Sequence, residues 1–178
     1  MRRKTSLWTL MLALSLIFWG FGLPKNIEKK VNKEVAKTFE VDNFSLTSVA
    51  IPAQLQSQLP CKITADNLYR IEEGESLYGY AYVDKAPSKT AEFDYLVLFN
   101  KDLEIVRSRV LIYREEYGGE IGSNRWLKQF EGKNGQDRVS HETNIDGISG
   151  ATISVRSMTQ SMDKLLQAVG ILQENKVL

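Results

Sequence analysis

The 178-residue chain has one cysteine, Cys61, and one histidine, His141. A single cysteine excludes a disulfide within the chain, and the two residues are too few for a Cys/His metal cluster. A histidine-based catalytic triad would rest on His141 alone, which has no motif around it and reads as a loop residue. Cys61 lies too far from the N-terminus to be a lipoprotein acceptor and reads as a small buried hydrophobe. The sequence also lacks a charge excess. Its 23 Lys and Arg face 22 Asp and Glu, and once Arg2, Arg3 and Lys4 are set aside 20 basic residues remain. That balance has no nucleic-acid footprint, so no nucleic-acid partner is expected. Internal repeats and low-complexity tracts are absent. What is present is ordinary globular composition, 43% hydrophobic and 25% charged, in a chain long enough for one cored domain.

Charge is missing altogether from residues 5–23. Leu7, Leu10, Met11, Leu12, Leu14, Leu16, Ile17, Phe18 and Phe21 make this an apolar run close to the roughly 20 residues that cross a bilayer as a helix. Trp8, Trp19 and Phe21 stand toward its ends, where such rings favour the interface, and Arg2, Arg3 and Lys4 precede it. The run is long for a signal peptide, and Phe21-Gly22-Leu23-Pro24-Lys25 offers no A-x-A-like cleavage site. Residues 1–23 are therefore expected to be a cytoplasmic N-terminus and a retained single-pass anchor in the cell membrane. The lipid bilayer is then a partner, and the remainder lies on the extracytoplasmic side.

Residues 24–42 are expected to be a stalk or a first helix, and residues 43–178 the functional domain. Ile27, Val31, Val35 and Phe39 recur every four residues, which predicts a helix over 26–40. Pro52 and Pro60 bracket a short helical turn at 53–59. Strands are expected at 63–71, 76–83, 91–99 and 103–113, with Asn100-Lys101-Asp102 as a hairpin turn. Tyr78, Tyr80 and Tyr82 are expected on one strand face, and Arg107 and Arg109 on a solvated one. Three glycines among residues 118–122 break the pattern. A short helix at 124–130 then carries Trp126 and Phe130, read as core, before a polar stretch at 131–144. The last helix is expected over 151–169, with Val155, Met158, Met162, Leu165, Leu166 and Val169 as its buried stripe. Helix, strands, then helix suggest an α+β domain with a mainly antiparallel sheet and flanking helices.

Chemistry is concentrated in Asp146-Gly147-Ile148-Ser149-Gly150-Ala151-Thr152-Ile153-Ser154. A turn and small residues lead directly into an amphipathic helix with a hydroxyl at the join. Free N–H groups and the helix dipole make such a start suited to a phosphate, with Gly150 and Ala151 leaving room for a bulky group. The alternative is plain capping, with Ser149 or Thr152 accepting a backbone N–H. The loop Tyr117–Gly122 also has two readings. It is a simple strand-to-helix connection, or Gly118 and Gly119 let backbone amides approach a ligand. Glu115, Glu116 and Glu120 form an acidic cluster that reads as solvated.

The wording D-x-x-S-G-A-T-x-S resembles the acceptor motif of the FMN-binding domain found in RnfG- and NqrC-type subunits of ion-pumping redox complexes. The glycine loop Glu116–Gly122 and the Trp126-x-x-x-Phe130 helix resemble further family features. The loop here lacks the family's proline, is one residue longer and carries Glu120. The order of these features resembles the family over residues 75–170. The resemblance implies that Thr152 accepts FMN through a phosphodiester, with Asp146, Ser149, Gly150 and Ala151 at recognition positions. It also implies a separate flavin transferase that uses FAD as the FMN donor and releases AMP.

On that resemblance the expected function is a membrane-anchored extracytoplasmic flavoprotein. It would pass electrons among subunits of a membrane redox complex, as an electron-transfer subunit and not a stand-alone enzyme. The competing expectation is a non-redox anchored binding or structural subunit in which Thr152 is only a helix cap.

Overall fold

The computed structural model describes residues 22–178. The expected anchor therefore lies outside the described residues, apart from Gly22 and Leu23. Among the described residues no helix is long and apolar enough to cross a membrane. The elements are α1 (Lys25–Phe39), β1 (Ser45–Ser48), α2 (Ala53–Gln56), β2 (Leu68–Glu73), β3 (Ser76–Pro87), β4 (Glu92–Asn100), β5 (Ile105–Ile112), α3 (Asn124–Leu127) and α4 (Thr152–Glu174). Short 3-10 turns at Gly119–Gly122 and Lys128–Phe130 flank α3.

The five strands form one antiparallel sheet in the order β1-β2-β3-β4-β5, so each strand pairs with its neighbour in sequence. Helices cover both faces. Phe93, Tyr95, Val97 and Phe99 of β4 join Tyr80, Tyr82 and the α4 stripe in one core. Leu96 and Leu98 join Ile27, Val31 and Val35 of α1 in the other. With helices on both sides, β4 is buried from Phe93 to Phe99, and its sequence there is apolar except for Asp94, which pairs with Arg114. Met158, Met162, Leu165, Leu166 and Leu172 of α4 are fully buried. Each such side chain contributes about 1.5–3 kcal/mol relative to exposure.

Several expectations shift for local reasons. The first paired strand is β1, whose Ser-Leu-Thr-Ser sequence is too polar and short to announce itself. β2 starts at Leu68 because Asn67 Oδ1 accepts the Thr64 N–H at 2.7 Å and closes a turn there. Ile63 is fully buried without being in a strand. β3 runs on to Pro87, and α4 to Glu174. Tyr78 does not share a face with Tyr80 and Tyr82. A bulge pairs Ile71 with Gly79 but Glu72 with Leu77, leaving Tyr78 as the extra residue. Tyr78 turns to the α1 side, 6.4 Å from the Phe39 ring, while Tyr80 and Tyr82 face α4.

Arg107 and Arg109 are not simply solvated. Arg109 lies 3.3 Å and Arg107 3.7 Å from the Glu34 carboxylate of α1, which ties that helix to β5. Residues 131–150 are irregular but fixed. Asp163 of α4 accepts from Arg138 Nε at 2.8 Å, Arg138 Nη2 at 2.7 Å and the Val139 N–H at 3.0 Å. These donors hold its carboxyl below the usual range, the Arg138 guanidinium foremost.

Candidate functional site

Thr152 is the first residue of α4, and it is exposed. Gly150 has φ +84°, a left-handed conformation that glycine adopts without cost, and it turns the chain into the helix. No heavy atom lies within 4 Å of where a Gly150 Cβ would stand, so its requirement is conformational rather than spatial. Ala151, at the N-cap, is buried and has no side chain able to cap. The first helical bond runs from the Val155 N–H to the Ala151 carbonyl at 2.9 Å. The N–H groups of Thr152, Ile153 and Ser154 therefore have no helical partner and carry the positive end of the dipole.

The capping reading of the helix start makes a geometric demand that is not met. No side-chain cap bond forms at α4. Ser149 is exposed and lines a hollow of about 300 Å³ with His141, Ile148, Thr152 and Val155.

On its other side Thr152 faces a larger cleft of about 710 Å³. Three chain segments build it. The β3–β4 turn brings Lys89 and Thr90, the end of β5 brings Tyr113 to Tyr117, and α4 brings Thr152 to Ser154. Each segment is tied to the next. The Glu115 carboxylate accepts from Ser88 Oγ at 2.6 Å, from the Thr90 N–H at 2.6 Å and from the Ala91 N–H at 3.1 Å. These donors, Ser88 first, hold the Glu115 carboxyl below its usual range. Glu115 thus binds the β3–β4 turn rather than pointing into solvent. The Tyr113 hydroxyl donates to the Tyr117 carbonyl at 3.0 Å and lies 3.0 Å from the buried Ser154 Oγ. Ser157 Oγ in turn bonds the Pro87 carbonyl.

Gly118 explains how the loop comes so close. Its φ is +86°, and a Cβ there would stand 2.6 Å from the Tyr113 hydroxyl and 3.7 Å from the Ala151 Cα. The approach it permits is of the loop to Tyr113 and the helix start. Gly119 opens the 3-10 turn, 3.9 Å from the Tyr113 ring by the same measure. Neither glycine is among the residues lining the cleft. Asp146 also stands apart. Its carbonyl accepts Trp126 Nε1–H at 2.7 Å and its N–H donates to Gln129 Oε1 at 2.8 Å. Asp146 therefore anchors the approach to α4 on the buried Trp126, whose ring meets Phe130 edge-on at 5.3 Å.

Tyr117 and Ile153 were not singled out from the sequence. They are 78% and 51% exposed, the two exposed large hydrophobics among the described residues, and both line this cleft. The available signal was Ile153, an apolar residue outside the buried α4 stripe. Tyr113 and Ser154 were missed because their contact joins positions 41 residues apart. Outside the site, Cys61 is partly buried beside Tyr82 and Asp84, and desolvation pushes its thiol up to about 11.

Residues 90–167 match the family model of the FMN-binding domain. The match begins at Thr90 in the cleft and runs through β4, β5, the glycine loop and most of α4, taking in every lining residue of the cleft except Lys89. The match supports FMN as a ligand of this chain. No curated protein shows significant similarity to the chain.

The residues present suit that group. An open cleft of this size lies within the range of small-ligand sites. Free helix N–H groups and Lys89 suit its phosphate, and Tyr117 and Ile153 present apolar surface to a ring.

Proposed function

We propose that this chain is a flavoprotein that carries FMN on the Thr152 hydroxyl through a phosphodiester. The observation that carries the reading is an exposed, uncapped threonine at the start of a long helix, inside the matched segment and beside Tyr117 and Ile153. In the attachment step the Thr152 oxygen attacks the FMN-side phosphorus of FAD. The P–O bond to the AMP half breaks, AMP leaves, and the hydroxyl proton is lost. The α4 N–H groups and Lys89 stabilise phosphate charge, and the Tyr113–Ser154 contact fixes the first turn of α4. A separate transferase supplies the remaining catalysis.

Bound flavin accepts electrons singly or in pairs and links two-electron donors to one-electron acceptors. We further propose that residues 5–23 anchor the chain in the membrane with its N-terminus cytoplasmic. The domain would then work outside the cytoplasm within an Rnf- or Nqr-like redox complex. A covalent link there prevents loss of the cofactor by dissociation.

The test is an intact mass of the membrane-extracted protein, produced with an active flavin transferase. A gain of FMN less one water, absent from Thr152→Ala, is expected. An unmodified wild-type mass, with the transferase active on a control acceptor, overturns the reading.

A further inference from the structure

The solvent face of α1 carries a pattern that neither the core nor the flavin reading uses. Lys25, Lys29, Lys33 and Lys37 recur every four residues and all are exposed. They are offset by two positions from the buried Ile27, Val31 and Val35. Two residues are about 200° of helix rotation, so the lysines form a stripe opposite the core face. Among the described residues none of the four is in an ion pair. The fifth lysine of the helix, Lys30, instead bonds the Leu111 carbonyl of β5 at 2.6 Å. Of the two acids of α1, Glu34 is turned toward Arg107 and Arg109, and Glu28, one turn from Lys25, is in no ion pair among the described residues.

This arrangement is unfavourable to the isolated helix. It contains three like-charge pairs at four-residue spacing, 25/29, 29/33 and 33/37, each of which destabilises. Lys25 also stands in the first turn, at the positive end of the dipole. An anionic surface laid along the stripe relieves both effects. The sequence places such a surface at hand. The apolar run of residues 5–23 ends two positions before α1 begins. Between them Pro24 has φ −52° and ψ 136°, an extended N-cap geometry from which α1 starts.

We propose that the lysine face of α1 docks on anionic phospholipid headgroups beside the anchor, fixing how the domain sits on the membrane. This rests on the anchored reading above. Headgroup charge attracts basic residues close to the surface, and salt screens the attraction.

The experiment uses the full chain in vesicles that carry the domain on their outer face. One set is phosphatidylcholine alone, and the other contains phosphatidylglycerol. Lysine acetylation is read by mass spectrometry, with exposed Lys101 in the β4–β5 turn as the internal reference. Lys25, Lys29, Lys33 and Lys37 are expected to label several-fold more slowly on the phosphatidylglycerol vesicles, and high salt should abolish the difference while Lys101 stays constant. Equal labelling on both lipids overturns the proposal. So does protection seen in native membranes but absent from phosphatidylglycerol vesicles, which identifies an acidic protein partner instead. Flotation with phosphatidylcholine vesicles reports the anchor separately. A chain that floats on them yet labels equally on both lipids keeps its anchor and loses the docking face. A chain that associates only with phosphatidylglycerol, with the stripe protected, keeps the docking face and loses the anchor.

Discussion

The Tyr113 hydroxyl and Ser154 Oγ lie 3.0 Å apart, and this one contact joins the end of β5 to the first turn of α4. The same hydroxyl donates to the Tyr117 carbonyl, so one phenol ties the helix start to the loop that carries Tyr117. Tyr113→Phe should cost about 1 kcal/mol of stability, the typical net value of such a bond. Gly118→Ala should cost more, about 1–3 kcal/mol, because it combines a left-handed φ with a 2.6 Å approach to that hydroxyl. The two changes touch, so the double variant should be less destabilised than their sum. Thermal unfolding of the three variants checks this, and strict additivity would refute the steric link.

Thr152→Ala should leave stability within about 0.5 kcal/mol of wild type, as a surface change away from any structural role. A capping threonine would instead cost about 1 kcal/mol on removal. Urea denaturation separates the two values. Thr152→Ser keeps a hydroxyl at the same position and should still gain the mass of the flavin group.

Much of the architecture could be read in advance, because α1 and α4 carry long periodic stripes and β4–β5 flank an obvious polar turn. The places where that reading failed share a cause. Nothing local in Ser45–Ser48 marks a strand, since its pairing energy comes from β2. Tyr78 obeys alternation until a bulge, which depends on the partner strand, turns it over. Thr152 was legible through its neighbours in sequence. Tyr113, Lys89 and Glu115 were not, because their positions beside Thr152 follow from how the β3–β4 turn and the end of β5 meet α4.

Tyr117 and Ile153 bury little, so replacing either with alanine should leave folding unchanged within about 0.5 kcal/mol. In the flavin-loaded protein a ring resting against Tyr117 is quenched by it. Tyr117→Ala should therefore raise flavin fluorescence, with Ile153→Ala giving a smaller rise. Identical emission from both variants and wild type would place the ring elsewhere.

Glu115 gives the turn at Lys89–Ala91 a pH dependence whose sign is fixed. Its folded-state pKa is depressed, so the carboxylate's contribution is present above the unfolded value near 4.3 and fades as pH falls through the folded value. Amide exchange at Thr90 and Ala91 should be slow at neutral pH and speed up on acidification beyond the intrinsic rate change. Glu115→Ala, which removes the acceptor, should show fast exchange at those two amides already at neutral pH. Wild-type protection that stays constant through the acid range would remove Glu115 from that role.

The sheet is a meander in which every pairing joins consecutive strands, while α4, which carries Thr152, packs across them from much later in the chain. Strand pairing of this kind closes short loops and can proceed before α4 docks. Until α4 docks, Thr152 is an ordinary hydroxyl on an unfolded segment, with neither Lys89 nor Tyr113 beside it. On the proposed reading, assembly order would act as inspection: a modifying enzyme would meet its target geometry only on a chain that has finished folding, and a defective copy would stay colourless.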